Sequence, residues 1–536
     1  MSNFTDGLNS EQARAVTHAD GPLLILAGAG SGKTKTLTHR IAYLIGELKI
    51  FPSRILAVTF TNKAAKEMRQ RLAQILGEDS ENRQFMPWMG TFHSICVRML
   101  RMDGENIGLN KRFLIYDTDD QISLMKQIMK ARGLTDKDIK PRAVLSVISN
   151  AKNEMRNAED FSASTRGPRE QKIAELFFAY EKALKDASAL DFDDLLIKTV
   201  ELLRSKPDIR HKWQQQFEHI LIDEYQDTNA VQYALIKLLV NSRRNLCVVG
   251  DDAQSIYSFR GADYTNILNF ERDFPGTTVV KLEQNYRSTG AILNMANALI
   301  SHNIHRTDKN LWTANGDGVE PKLWQLYNES EEALAIANEI QAQIANGRQY
   351  GDVAVLYRTN AQSYAIERAL RQSYIPYKIV GGLRFLDRAV VKDLLAYLRL
   401  LYQPSDRVSF LRIVNTPKRG VGAVSISKFL DWNDASGKDI ISGLLAVEEA
   451  DTLTARAKRP LLEFGQKLHD LQQEIDGSPA ELIEKIMKST GYEDFINDGT
   501  PQAEERMENI GVLLSEAKAY VDVATFLEEM ALMSST

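Results

Sequence analysis

The stretch Leu23-Leu24-Ile25-Leu26-Ala27-Gly28-Ala29-Gly30-Ser31-Gly32-Lys33-Thr34 decides the fold of the first part of this chain. Its apolar residues predict a buried strand, and Thr36 to Leu48 have the pattern of a helix. Glycines between the two let backbone N–H groups turn inward without a Cβ clash, and the helix start adds its positive dipole. The order therefore predicts a phosphate-binding loop, with Lys33 at the β- and γ-phosphates and Thr34 on Mg²⁺. A glycine-rich stretch by itself is more often an ordinary loop.

Length and composition indicate a multidomain protein. The chain has 536 residues, 44% of them hydrophobic and 26% charged, which suggests about three to five domains. Two cysteines, Cys96 and Cys247, exclude a disulfide framework, and the sequence has neither a secretory signal nor an apolar run of the ~18 residues that a membrane span needs. We therefore expect a cytoplasmic protein that does not bind membranes. The net charge of −5 gives no overall attraction to nucleic acid, although a local groove can still be basic.

Short apolar runs alternate with helical patterns and predict an α/β fold with buried parallel strands. The interval from Phe92 to Trp213 breaks this rhythm, because it is rich in helical pattern and has no comparable strand. An inserted helical domain is the simplest interpretation. Asp387 to Leu401 begins a second helix-dominated region. The predicted strands are Leu23 to Leu26, Ile55 to Phe60, Ile220 to Ile222, Leu246 to Val249 and Thr278 to Leu282 in the first core, and Val353 to Tyr357 in a second α/β unit.

The run Leu221-Ile222-Asp223-Glu224 supplies the carboxylates that an ATPase needs at the end of a strand beside the phosphate-binding loop. Asp223 is predicted to hold the Mg²⁺ that Thr34 also binds, and Glu224 to orient and deprotonate the attacking water. An Asp-Glu pair after apolar residues is usually a solvated turn when it stands alone. Together with the upstream Gly-Lys-Thr loop, it predicts a catalytic pair.

A second strand, Val248-Val249-Gly250, also ends in polar residues, and Gln254 is placed to report on the γ-phosphate to the segment that follows. In that segment, Tyr257, Phe259 and Arg260 resemble a stacking platform for unpaired bases beside a phosphate contact. The alternative is that the two aromatic residues pack into the core at a helix start.

These motifs, taken as an ordered set, resemble a superfamily 1A DNA helicase of the UvrD/Rep/PcrA type. The family loop begins with Ala, as Ala27 does here. The other matching motifs are Leu8, Asn9 and Gln12; Thr59 to Met68; Thr91 to Ser94; Asp223 to Asp227; Gly250 to Tyr257; and Leu282 to Ser288. The match covers essentially the whole chain. One departure is Phe259, where the family usually has Trp, and it implies a weaker DNA contact.

The resemblance implies RecA-like motor cores with P-loops and two helical accessory domains. The implied domains are 1–89 with 215–280 (first motor domain, 1A), 90–214 (helical insertion, 1B), 281–377 (second motor domain, 2A) and 378–536 (helical accessory domain, 2B). The implied ATP contacts are Gln12 at the adenine edge, the loop Ala27, Gly28, Ala29, Gly30, Ser31, Gly32, Lys33 and Thr34, then Lys35, Arg40, the adenine-stacking Tyr286 and the arginine finger Arg287.

Implied contacts to single-stranded DNA are Phe60, Thr61, Asn62, Thr91, His93 and Arg358, besides the platform. In the second helical region, Thr416 to Gly422 contains a Gly-x-Gly turn beside Lys418 and Arg419, which can present backbone amides and charge to duplex phosphates. An ordinary turn between helices is the alternative. The candidate duplex contacts are Thr416, Arg419, Gly420 and Gly422.

The resemblance implies an ATP- and Mg²⁺-dependent 3′→5′ helicase that acts on single-stranded DNA and on junctions with duplex, in repair or replication. Two motifs of the second motor domain, T-x-H-x-x-K-G-L-E and a final arginine-bearing segment, do not occur in this sequence. We therefore expect an incomplete helicase that is weakly active. The alternative is an ATP-regulated module that binds single-stranded DNA or docks a partner without unwinding. Pathway, partner proteins and oligomeric state do not follow from the sequence.

Overall fold

The computed structural model describes residues 4–82, 84–135, 138–258, 261–303, 307, 309–380, 386, 388–497 and 501–534. Its strands are β1 (Leu23–Ala27), β2 (Ile55–Thr59), β3 (Met89–Thr91), β4 (Leu114–Ile115), β5 (Ala189–Leu190), β6 (His219–Ile222), β7 (Leu246–Gly250), β8 (Thr278–Leu282), β9 (Gln284–Asn285) and β10 (Trp312–Thr313).

A parallel sheet organises the first part of the chain, in the order β3-β2-β6-β7-β1-β8. Each strand predicted for the first core lies in this sheet, which confirms the α/β fold. Alternate residues of β1 serve opposite faces: Leu23 and Ile25 pack in one apolar cluster, while Leu24 and Leu26 pack in the other. Because both faces are covered, the strands are apolar throughout their length.

Helices cover both faces of the sheet. The N-terminal and central helices are α1 (Ser10–Thr17), α2 (Lys33–Gly46), α3 (Asn62–Leu76), α4 (Phe92–Asp103), α5 (Thr118–Ala131), α6 (Pro141–Asn153), α7 (Ala158–Ala163), α8 (Pro168–Asp186), α9 (Phe192–Ser205), α10 (Pro207–Gln216), α11 (Ala230–Leu239), α12 (Thr265–Leu268), α13 (Phe270–Asp273) and α14 (Gly290–Ile300). Helices α2 and α3 cover one face, and α4, α9 and α11 cover the other. Helices α5 to α8 form a core of their own around Met125 and Phe177, as a helical insert would.

The C-terminal region is helical and has a separate core. Its helices are α17 (Ala389–Tyr402), α18 (Arg407–Ile413), α19 (Ala423–Ser436), α20 (Ile440–Leu445), α21 (Ala455–Gln472), α22 (Pro479–Thr490), α23 (Tyr492–Ile496), α24 (Pro501–Ala517) and α25 (Val523–Ser534), which follow α15 (Glu329–Ala345) and α16 (Asn360–Gln372) in the chain. Tyr397, Phe410, Phe464 and Phe526 are among the side chains at its centre.

The chain divides into two compact units, one of residues 1–316 with 385–536 and the other of residues 317–384. In the second unit, α15 and α16 pack around Ala337 and Ile366. The strand predicted from Val353 to Tyr357 is wrong, because the structure assigns no strand there. Val353, Val355 and Tyr357 do pack on the helices of this unit, so alternate residues of this apolar run are partly buried without strand pairing.

Among the helices that the structure describes, none combines the length and apolar character that a membrane span needs.

Candidate functional site: the phosphate loop and its surroundings

The loop between β1 and α2 has the backbone of an anion-binding turn. Gly30 and Gly32 have φ angles of 67° and 85°, which favour glycine, and α2 begins directly at Lys33. A Cβ on Gly30 would lie 2.6 Å from Asn285 Nδ2, and one on Gly28 would lie 2.1 Å from Leu311 Cδ2. The unpaired N–H groups of the first turn of α2 point out of the helix at this loop. The geometry therefore suits a phosphate group.

The two predicted carboxylates follow β6 and lie beside Lys33. Lys33 Nζ donates to Glu224 Oε2 at 2.9 Å, and Glu224 has a left-handed backbone with φ of 49°. Asp223 is only 4% exposed. Burial and, secondly, the charge of Glu224 raise the pKa of Asp223 to about 7, while Lys33 opposes the shift. The structure thus brings together the loop lysine and both carboxylates, as the sequence predicts.

A hydrogen-bond chain connects Glu224 with Gln254. Gln226 Nε2 donates to Glu224 Oε2 at 2.9 Å, and Gln226 Oε1 accepts from the backbone N–H of Asp251 at 3.0 Å. Gln254 Nε2 in turn donates to Asp251 Oδ2 at 2.6 Å. These hydrogen bonds connect Glu224 with Gln254 through Gln226 and Asp251.

Lys309, which comes from a distant part of the sequence, forms ion pairs at the Asp251 end of this hydrogen-bond series. Its Nζ pairs with Asp251 and lies 2.6 Å from Asp252 Oδ1, and its side chain is 8% exposed. Neither Lys309 nor Gln226 was predicted as a site residue from the sequence. A signal for Gln226 was present, because it lies inside the Asp223 to Asp227 motif, but nothing local marks Lys309.

The segment after β8 is fastened to the phosphate loop. Asn285 Nδ2 donates to the carbonyl of Ala29 at 2.6 Å, and its Oδ1 accepts from the N–H groups of Arg287 and Ser288 at 2.8 and 2.7 Å. The N–H of Tyr286 donates to Gly30 O at 2.9 Å. Arg287 is exposed at this place. Asn285, whose role was not predicted, is thus the residue that holds the Arg287 segment at the loop.

The N-terminal motif lies on the other side of the same loop. Gln12 is 2% exposed, and its Nε2 donates to the carbonyl of Ser31 at 2.9 Å. Asn9 and Gln12 cap α1 reciprocally, and Asn9 Nδ2 donates to the hydroxyl of Tyr286 at 2.9 Å. Tyr286 is 49% exposed, so its ring is available for stacking. Lys35 is exposed and donates to the carbonyl of Gly7 at 2.7 Å.

Arg40 corrects the expectation that it contacts ATP. It lies seven residues after Lys33, which is about 10 Å along a helix. Its side chain is buried, and Nη1 donates to the carbonyls of Ala15, Val16 and His18. Arg40 therefore closes the C-terminal end of α1, where cations stabilise unpaired carbonyls.

Five of the candidate DNA residues lie at the ends of β2 and β3. Phe60 packs edge-on against Phe92 with ring centroids 5.8 Å apart. Thr61 caps α3 and Thr91 caps α4, so both hydroxyls serve the helices. Asn62 Nδ2 donates to the carbonyl of Leu532 at 3.2 Å. Burial lowers the pKa of His93 to about 4, and its ring packs edge-on against Phe192 at 5.7 Å.

The other candidate DNA residues are scattered. Tyr257 is 37% exposed after β7, whereas Phe259 and Arg260 lie outside the described residues. Arg358 is exposed within the unit 317–384.

The turn from Thr416 to Gly422 corrects the expectation for Arg419. Its guanidinium donates to the carbonyls of Ile413 and Val414 and to the hydroxyl of Tyr397, and it lies 4.0 Å from the centre of the Phe464 ring. These contacts hold the turn together and pair the partly buried guanidinium with groups of the protein itself. Thr416 donates to the carbonyl of Arg412. Gly420 has φ of 74°, and Gly422 precedes α19, so the backbone amides of this helix start stay a candidate phosphate contact.

A Mg²⁺ ion at the phosphate loop would have few protein ligands. Within the described residues, no group of three or more His, Cys, Asp or Glu side chains is arranged to hold a metal ion. A Mg²⁺ ion commonly takes one or two carboxylates and completes its shell with substrate phosphates and water.

Comparison with known families agrees with this geometry. The family model of the UvrD/REP helicase N-terminal domain matches residues 8–275, and that of the UvrD-like helicase C-terminal domain matches residues 280–533.

Similar proteins are named ATP-dependent DNA helicase PcrA. The protein from Leuconostoc citreum is 43% identical over 550 residues, and the match covers 100% of this chain and 73% of that protein. The protein from Bacillus subtilis is 45% identical over 544 residues, covering 99% of this chain and 73% of that protein. One from Staphylococcus aureus is 42% identical over 538 residues, again with 100% and 73% covered.

These matches do not support the expectation of an incomplete, weakly active helicase. The C-terminal family model extends to residue 533, and the relatives align with essentially the whole chain.

Proposed function

The chain belongs to the UvrD/REP helicase family, and from that premise we propose that it is an ATP-dependent DNA helicase that moves 3′→5′ along single-stranded DNA. The observation that carries the proposal is the meeting of Lys33, Asp223, Glu224 and the Arg287 segment around one glycine loop. These groups come from three separate parts of the sequence: the loop with Lys33, the Asp223-Glu224 pair and the segment from Asn285 to Arg287. Their convergence supplies the parts that phosphoryl transfer to water requires.

ATP is proposed to bind with its triphosphate in the loop and its adenine beside Tyr286. Backbone amides at the start of α2 and the Lys33 ammonium receive the phosphates. Gln12 supports this site by holding Ser31 and Asn9, and through Asn9 it fixes the hydroxyl of Tyr286. An adenine contact from the Gln12 amide would need one of its present hydrogen bonds to be exchanged.

Asp223 and Thr34, the second residue of α2, are the proposed Mg²⁺ ligands. Asp223 is a buried carboxylate whose pKa is raised to about 7 by burial and by Glu224, so a cation beside it would favour its ionised form. Mg²⁺, when bound, neutralises charge on the β- and γ-phosphates.

Glu224 is proposed to take the proton of the attacking water. In the present arrangement its Oε2 accepts from both Lys33 and Gln226. When Lys33 turns to a triphosphate, the Glu224 carboxylate loses its cationic partner and is free to accept a water proton. Arg287, exposed beside the loop, is proposed to stabilise charge on the transferred phosphate, and Gln254 to report on it through Asp251 and Gln226.

Single-stranded DNA is proposed to pass the ends of β2 and β3, where Phe60, Asn62 and His93 lie, and the aromatic Tyr257. Burial keeps the imidazole of His93 neutral at physiological pH, so His93 offers a ring and a hydrogen bond but no charge. The helix start at Gly422 is the proposed duplex contact. Action at junctions during repair or replication is part of the proposal.

The test uses the purified chain with ATP, Mg²⁺ and a partial duplex that carries a 3′ or a 5′ single-stranded tail. We expect oligo(dT) to stimulate ATP turnover, and strand separation to need the 3′ tail. Lys33→Ala should abolish both activities, and Glu224→Gln should keep ATP binding while abolishing turnover. Nucleotide-dependent DNA binding without turnover would instead support an ATP-regulated binding module and would refute the helicase.

A further inference from the structure

Two asparagines join the loop behind Glu224 to the helical insert. Asn229 caps α11: its Oδ1 accepts from the N–H of Gln232 at 2.9 Å. Its Nδ2 donates to Asn153 Oδ1 at 2.7 Å. Asn153 is the last residue of α6, and 76 positions separate the two side chains in sequence.

Asn153 continues the connection to the next helix. Its Nδ2 donates to Asp193 Oδ1 at 3.0 Å and to the carbonyl of Ser149 at 2.8 Å. Asp193 is the second residue of α9, and the preceding Phe192 packs edge-on against His93 at 5.7 Å. A continuous series of contacts therefore leads from the loop after Glu224 to a proposed DNA residue.

Both ends of this series are firmly held. On the insert side, the neighbouring Lys152 is buried and donates to Asp191 and Asp194 at 2.7 Å each. On the nucleotide side, Glu224 and Asn229 are separated by a tight turn in which the hydroxyl of Thr228 donates to the carbonyl of Tyr225 at 2.7 Å. Because this short turn is closed by its own hydrogen bond, we expect it to pass a displacement of Glu224 on to Asn229.

The same turn also contacts the loop that carries Tyr257. The carbonyl of Thr228 accepts from the N–H of Asp263 at 3.0 Å and from Asn266 Nδ2 at 3.1 Å. Thr228 thus contacts the loop that follows Tyr257, and Asn229 contacts Asn153 of the helical insert. Of the two, only the Asn229 connection uses a side chain that can be shortened while the helix cap is kept.

We propose that Asn229 and Asn153 are positioning residues that couple the state of the Glu224 loop to the helical insert, so that single-stranded DNA beside His93 accelerates ATP turnover. This inference rests on the proposed function. Neither asparagine is placed to touch ATP; each acts through the residues that it holds. The cap of α11 alone does not explain Asn229, because serine caps a helix equally well and lacks the N–H that reaches Asn153.

The experiment compares the full chain with Asn229→Ser, Asn153→Ala and the double variant. Asn150→Ala is the matched control, because Asn150 is an exposed asparagine on the same helix. For each protein, ATP turnover is measured without DNA and with saturating oligo(dT), together with the KM for ATP. A thermal unfolding curve is recorded in parallel.

We expect the stimulated turnover of both single variants to fall about five-fold, which is the effect of about one net hydrogen bond. Turnover without DNA, the KM for ATP and the control should stay within about two-fold of the original chain, because a hydrogen bond outside the site changes them little. The double variant should be no worse than either single variant, since the two side chains form one connection.

The proposal is overturned if stimulated turnover is retained, if basal and stimulated turnover fall together, or if the two single effects add in the double variant. A fall of both activities with a lower unfolding temperature would show a structural role only. If oligo(dT) does not stimulate the unsubstituted chain, the proposed function itself fails, and that result is recognised before any variant is compared.

Discussion

The buried ion cluster of the helical insert gives the sharpest stability prediction. Lys152 is 3% exposed in its side chain, and its Nζ lies 2.7 Å from both Asp191 Oδ2 and Asp194 Oδ1. Substitution of Lys152 by Met keeps most of the apolar stem but removes the ammonium. Two carboxylates then stay buried without their cation, and loss of one partner from a buried pair costs about 3–5 kcal/mol.

The cost should depend on pH in a definite direction. Burial and then Asp191 raise the pKa of Asp194 to about 7 even though Lys152 opposes the shift. A carboxyl group whose pKa is raised in the folded state contributes stability below its unfolded pKa of about 4 and loses it as pH rises through the folded value. Without Lys152 this pKa rises further. We therefore expect the deficit of Lys152→Met to be full at pH 8 and clearly smaller at pH 5.

Hydrogen exchange of the native protein, followed by mass spectrometry on peptides from α6 and α9, measures this local stability. A loss of 3–5 kcal/mol corresponds to exchange about 150 to 5,000 times faster, after correction for the intrinsic rate at each pH. Lys198→Met is the matched control, because Lys198 pairs with Glu201 at the surface, where a pair is worth about 0–1 kcal/mol. A deficit below about 1 kcal/mol at pH 8, or an equal deficit at both pH values, would refute the reasoning.

Three further outcomes are expected. Asn285→Ala removes three hydrogen bonds at the loop and should lower kcat/KM for ATP by about 100-fold, at about 1 kcal/mol for each bond; a change under about three-fold would contradict the role of Asn285. Arg40→Met should lower the unfolding temperature and leave the KM for ATP of the folded enzyme unchanged, whereas an increased KM would restore Arg40 to the ATP site. His93 is held neutral by burial with a pKa near 4, so its contribution to stability is present above pH 6.5 and is lost as pH falls toward 4. His93→Gln should remove about 2.5 kcal/mol of that acid destabilisation, as compared by urea unfolding at pH 7 and pH 4.5.

The parts of the site that the sequence predicted are those with local signals. A buried parallel strand is an apolar run, and the loop, Lys33 and Thr34 follow β1 directly. Asp223 and Glu224 follow β6 in the same way, and the carboxyl ends of parallel strands meet at one edge of the sheet. Strand positions and site residues could therefore be predicted together for the first core.

Residues that act across long sequence separations could not be predicted in this way. Asn285 donates to a carbonyl 256 positions earlier, and Lys309 reaches Asp251 across 58 positions. The resemblance implied that Arg40 contacts ATP, but its partners are carbonyls at the C-terminal end of α1. The run from Val353 to Tyr357 is apolar at every position, so it shows neither which face is buried nor whether the backbone has a neighbouring strand to pair with.

The conformation of Glu224 suggests how a bound nucleotide would act on the proposed DNA contacts. A residue other than glycine pays about 1–2 kcal/mol for the left-handed region, and Glu224 is held there with φ of 49° while its carboxylate accepts from Lys33 and Gln226. When a triphosphate draws Lys33 away, one of the two bonds that offset this strain is lost. The backbone at Glu224 is then expected to shift. Asp251 is connected to Glu224 through Gln226, and Asn229 is connected to it through the turn, so both would move with it. Glu224 would thus convert binding of a triphosphate at the loop into a displacement of Asp251 and Asn229.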